Sequence, residues 1–133
     1  MKKVLMLFIA ASVIYGLNSC KKDHEKDHED VEFNITSPIE GETYPNTGTL
    51  AITGTITGEV DDVEIKIKKK DTGAVVFEFD EHAHTESYTL NKTWTWDPAG
   101  ITTATVFEIE FHVDSEHGGG VHFDLEYEFT VAP

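Results

Sequence analysis

The chain has 133 residues, 39% hydrophobic and 11% aromatic, which suits one folded domain rather than two. All ten basic residues are lysines set against 25 Asp and Glu, and the formal charge of -15 repels phosphate, which excludes a nucleic-acid-binding role. A single cysteine, Cys20, excludes an internal disulfide and a cysteine-based zinc site.

Lys2 and Lys3 precede a largely apolar run from Val4 to Leu17. That run is shorter than the roughly 20 residues needed to span a bilayer, and residues 1–19 read as a secretory signal peptide. Leu17-Asn18-Ser19-Cys20 resembles the lipobox of bacterial lipoprotein signals at its leucine, small-residue and lipidated-cysteine positions. The resemblance implies a lipid on Cys20 and an outer-membrane location facing the periplasm or the cell surface. A lipidated thiol cannot also act as a nucleophile. Residues 21–30, Lys-Lys-Asp-His-Glu-Lys-Asp-His-Glu-Asp, have no apolar side chain to bury, so 20–30 read as a lipidated Cys followed by a charged, flexible tether. His24 and His28 would share a face only in a helix, and a solvated spacer is the simpler reading.

From residue 31 to residue 133 the pattern is almost entirely of period two, and this segment alone holds 5 Lys against 20 acids. Phe33 and Ile35 alternate first, then Leu50, Ile52 and Ile56, then Val63, Ile65 and Ile67. Tyr88, Leu90, Trp94 and Trp96 share one parity, which favours core packing over an exposed sugar-binding platform. Phe107, Ile109, Phe111 and Val113 alternate next, and the longest alternation runs from Val121 through Phe123, Leu125, Tyr127 and Phe129 to Val131. Turn residues separate the runs at Pro45-Asn46-Thr47-Gly48, Asp71-Thr72-Gly73, Asp97-Pro98-Ala99-Gly100 and Gly118-Gly119-Gly120. The expectation is an all-β fold, an antiparallel immunoglobulin-like β-sandwich of about seven strands, with no helix. Ile109, Phe111, Phe123 and Leu125 should all point inward.

Ser37-Pro38-Ile39-Glu40-Gly41-Glu42-Thr43-Tyr44, followed by Leu50-Ala51-Ile52-Thr53-Gly54, resembles the opening of the disulfide-free bacterial immunoglobulin-like domains. The Phe77-Glu78-Phe79-Asp80-Glu81-His82-Ala83-His84 segment with Lys92-Thr93-Trp94 resembles a family of small Gram-negative lipoproteins, a domain of unknown function with a His-x-His motif. That resemblance implies an anchored immunoglobulin-like domain and carries no activity.

Five histidines lie in this domain, at positions 82, 84, 112, 117 and 122. If Val113 faces Val121 in a final hairpin, His112 faces His122, Glu110 faces Asp124 and Glu108 faces Glu126, all outward; a slip of two, which parity allows, would set His122 opposite Glu110 or Asp114 and lose the paired imidazoles. Opposed carboxylates are destabilising unless a cation intervenes. One candidate cation is a metal, zinc or copper, held by His112 and His122 with Glu110 or Asp124, and with His82 and His84 completing the shell. Another is lysine, since Lys66 and Lys68 point outward from a neighbouring strand. A third reading is a solvated acidic face that serves solubility. No Gly-x-Ser-x-Gly elbow, His-Glu-x-x-His helix or Walker loop is present, so no enzyme is expected. The preferred role is a membrane-anchored metal-binding module. The alternative is a structural or adhesive domain contacting proteins or glycans.

Overall fold

The computed structural model describes residues 30–115 and 120–133. The signal peptide, Cys20, the tether up to residue 29 with His24 and His28, and His117 lie outside the described residues. Six strands are present among them: β1 (Glu32–Ser37), β2 (Thr43–Pro45), β3 (Thr49–Lys69), β4 (Val75–Thr95), β5 (Thr105–Ser115) and β6 (Val121–Ala132). The only helical element among the described residues is one 3-10 turn, Pro98–Gly100, capped by Asp97, whose Oδ1 accepts from the Ala99 amide at 2.9 Å.

β3 organises the sheet. β4 runs along one of its edges for the full length, while β1 and β5 share the other, β1 against Thr53–Thr57 and β5 against Asp62–Lys69. β6 pairs with β5, and β2 adds to β6 as the one parallel pairing. The all-β expectation holds, with six strands rather than about seven. The two apolar runs at Leu50–Ile56 and Val63–Ile67 belong to one long strand.

The merger has a local cause. The β3–β4 register shifts between Thr57 and Val60 and again between Val60 and Asp62. Such bulges change which face the following residues present. Leu50, Ile52 and Ile56 therefore reach the core on even positions and Val63, Ile65 and Ile67 on odd ones. β4 makes the matching switch, from Phe77 and Phe79 to Tyr88, Leu90 and Trp94. Its break falls at His84, whose φ of 46° is unusual for a residue with a side chain.

The bulged hairpin bends, and its two halves close over one core. Trp94 in the second half of β4 packs on Phe107 and Phe129, with ring centroids 4.9 and 6.3 Å away, and Phe33 of β1 lies 6.5 Å from Phe111. Gly54 lets β1 approach, because a Cβ there would stand 2.4 Å from the Asn34 carbonyl oxygen. Ile109 and Phe111 are fully buried as expected from parity, whereas Phe123 and Leu125 face inward but are only half-buried. Trp94 is core, and Trp96 packs beside it while donating its Nε1–H to Asn46 Oδ1 at 2.7 Å.

Candidate metal centre

Burying the apolar positions puts the intervening polar ones on the outer face, where the register aligns them in rows across β4, β3, β5 and β6. The first row reads His82, Asp62, Asp114, His122 and the second Asp80, Glu64, His112, Asp124. The third reads Glu78, Lys66, Glu110, Glu126, and below it Lys68, Glu108 and Glu128 are aligned.

The β5–β6 register differs by two residues from the sequence-based expectation. His112 faces Asp124 and Asp114 faces His122, with Val113 opposite Phe123. The reason is charge pairing. Each strand carries a His-x-Asp pair, and in the adopted register both imidazoles meet a carboxylate, whereas the expected one would oppose imidazole to imidazole and Glu110 to Asp124. The two rings stay close as diagonal neighbours, with centroids 5.2 Å apart and planes inclined by 26°.

Asp114, which was not among the expected ligands, is the centre of this group. Its Oδ1 lies 2.9 Å from His112 Nε2 and also accepts from His122 Nδ1. His112 donates from Nδ1 to Asp124 Oδ1. The hydrogen bond to Asp124 raises the His112 pKa above the ordinary imidazole value; burial opposes the rise and the charge of Asp114 adds to it. Ligand atoms of His112, Asp114 and His122 all lie within 4.8 Å of one another. Tetrahedral zinc, with bonds of about 2.0–2.2 Å, sets its ligand atoms roughly 3.3–3.5 Å apart. Small side-chain shifts would therefore let this group hold a metal. His122 is 58% exposed, so the approach is open.

Glu110, expected beside the imidazoles, pairs instead with Lys68. Lys70 bridges Glu108 and Glu128 at 2.8 and 2.7 Å, and Lys66 pairs with Glu64 and, at 3.5 Å, with Glu78. Carboxylate oxygens of Glu108, Glu110 and Glu126 also come within 4.8 Å of one another, but lysines fill that network. The pairing with Lys70 lowers the Glu108 pKa and the hydrogen bond from Lys68 to Glu110 raises that of Lys68. Lysine is thus the intervening cation in the lower rows. In the first two rows imidazoles, not lysines, face the carboxylates.

His82 and His84 sit at the hairpin bend. His82 donates from Nδ1 to Asp62 Oδ1 and His84 from Nδ1 to Asp61 Oδ1, each at 2.6 Å. Their rings meet edge to face, with centroids 4.0 Å apart. His82 and His122 occupy opposite ends of the first row, three strand spacings or about 14 Å apart, with Asp62 and Asp114 between them. The four imidazoles, expected in one shell, therefore form two separate pairs.

No family model and no curated protein matches the chain. Among solved structures it is similar to the crystal structure of CopC from Methylosinus trichosporium OB3b, at 20% identity and a TM-score of 0.49, over 77% of this chain and 95% of that one.

Proposed function

We propose that the protein is a membrane-anchored extracytoplasmic module that binds a divalent transition metal, zinc or copper, at His112, Asp114 and His122, and that binding rather than catalysis is its role. The observation that supports this most directly is the single Asp114 oxygen contacted by both imidazoles. In this reading the metal enters between that oxygen and the two ring nitrogens that now contact it. Asp124 holds Nδ1–H of His112 and so leaves Nε2 to face the ion, the usual way a carboxylate orients a ligating imidazole. Two imidazoles with a carboxylate suit zinc, copper or nickel, and do not suit calcium or magnesium.

The test is zinc and copper titration of tag-free, metal-stripped protein, comparing wild type with the His112→Ala, His122→Ala double variant. A micromolar site should be seen in the wild type at the His112 and His122 rings and be lost or weakened at least tenfold in the variant. Equal metal-induced stabilisation in the two proteins would refute the site and leave the structural or adhesive domain, in contact with proteins or glycans, as the better account. The anchor is tested separately. Cys20→Ala should move the protein from the membrane pellet to the soluble fraction, and a variant that stays in the pellet after a salt wash would remove the lipoprotein reading.

A further inference from the structure

We infer that the bend of the β3–β4 hairpin is a second metal-binding site, in which His82 and His84 bind one divalent transition ion through Nε2 while Asp62 and Asp61 hold their Nδ1 atoms. It is independent of the group around Asp114.

Residues two apart on a regular strand point the same way, with their side chains standing side by side along the strand. Here the rings are drawn together, to a centroid distance of 4.0 Å at 74°. The left-handed backbone at His84, φ 46°, accompanies that approach. Positive φ is uncommon for a residue with a side chain, and such conformations are concentrated at functional sites.

Hydrogen bonding sets the same orientation twice. Each imidazole donates from Nδ1 to a different carboxylate at 2.6 Å, which selects the tautomer whose Nε2 is the basic nitrogen. Asp61 is only 3% exposed. A carboxylate withdrawn from water needs positive charge nearby, and an ion on His84 would add to what its surroundings supply. Both histidine side chains are 56% exposed, so an ion can enter, and water can fill its remaining positions.

A purely structural role explains part of this, since the hydrogen bond from His84 helps to satisfy Asp61 at the bulge. Cross-strand pairing accounts for His82 with Asp62, but neither contact explains the convergence of the two rings. Nitrogen donors select a borderline divalent ion such as zinc, copper or nickel.

The experiment is a zinc titration of the full chain with 15N-labelled imidazoles, read as the ring nitrogen resonances. It is run in wild type and in the His112→Ala, His122→Ala background. In both proteins zinc should shift Nε2 of His82 and His84 while Nδ1 stays protonated, at midpoints within about twofold of each other. His82→Ala should weaken the His84 response at least tenfold. His84→Asn, which accepts the left-handed backbone, should do the same to His82 without changing the amide spectrum of β3 and β4. Zinc that leaves both rings unperturbed in the double-variant background would overturn the inference. So would a His84 response that survives His82→Ala at the same zinc concentration. A response at His82 and His84 with none at His112 and His122 would refute the proposed function while upholding this site.

Discussion

Asp114→Asn removes the one carboxylate that both His112 and His122 contact and keeps the size of the side chain. In the absence of metal the change should cost little. The contacts lie near the surface, where exposed ion pairs contribute about 0–1 kcal/mol. Its effect on zinc should be much larger. With a Kd of about 1 µM, 100 µM zinc stabilises the wild-type fold by about 2.7 kcal/mol. In a domain of about 100 residues that raises Tm by roughly 10–20 °C. Weakening the site 10- to 100-fold leaves an increment of only about 1.4 to 0.4 kcal/mol at the same concentration. The measurement is a thermal melt of tag-free, metal-stripped wild type and variant, each with and without zinc. Equal zinc-induced shifts in Tm would show that Asp114 does not bind the ion, and the argument from the shared oxygen would fail.

Core depth makes a second prediction: Phe129→Ala, at a fully buried ring packed by Trp94 and Phe107, should cost about 3–5 kcal/mol, and Phe123→Ala, at a half-buried ring, clearly less. Urea melts that rank the two the other way would show that the depth assigned to the ends of β6 is wrong. Acid separates two effects at His112, whose folded pKa is raised by Asp124. Its ion pairing stabilises the metal-free fold fully below the unfolded value of about 6.5 and is lost as pH rises through the folded pKa. The zinc-induced increment should run the other way and disappear below about pH 6, because protons displace the metal. An increment that persists unchanged at pH 5.5 would exclude imidazole ligands.

The strands were legible because an antiparallel sheet with one buried face writes its parity into the sequence. Phe107, Ile109 and Phe111 occupy alternate positions, and all three are buried in the sheet. What parity could not show was that Ile56 and Val63 belong to one strand. An alternation that changes from even to odd positions reads as two strands with a turn between them. In the structure the change is absorbed by the irregular stretch from Thr57 to Asp62, which keeps the chain paired to β4. His82 and His84 were recognised as a pair for the same reason that they were misplaced. Their spacing is visible, but their position relative to β5 and β6 depends on a bulge that leaves no periodic trace.

The site itself was nearly readable, and the missing step was electrostatic. Registers that differ by two residues satisfy parity equally well, so apolar patterning cannot choose between them. Charge can. His112-x-Asp114 and His122-x-Asp124 are complementary when antiparallel, and the adopted register gives two imidazole–carboxylate pairs. It still opposes Glu110 to Glu126 and Glu108 to Glu128, but Lys68 and Lys70 extend over those rows from β3 and the turn after it. The expected register would have set two imidazoles face to face with no carboxylate opposite either of them, so that protonating both would drive the strands apart. The adopted one holds each ring on a carboxylate before any ion arrives. A metal at Asp114 would then enter among groups already in contact, and the rings would need little reorganisation to receive it.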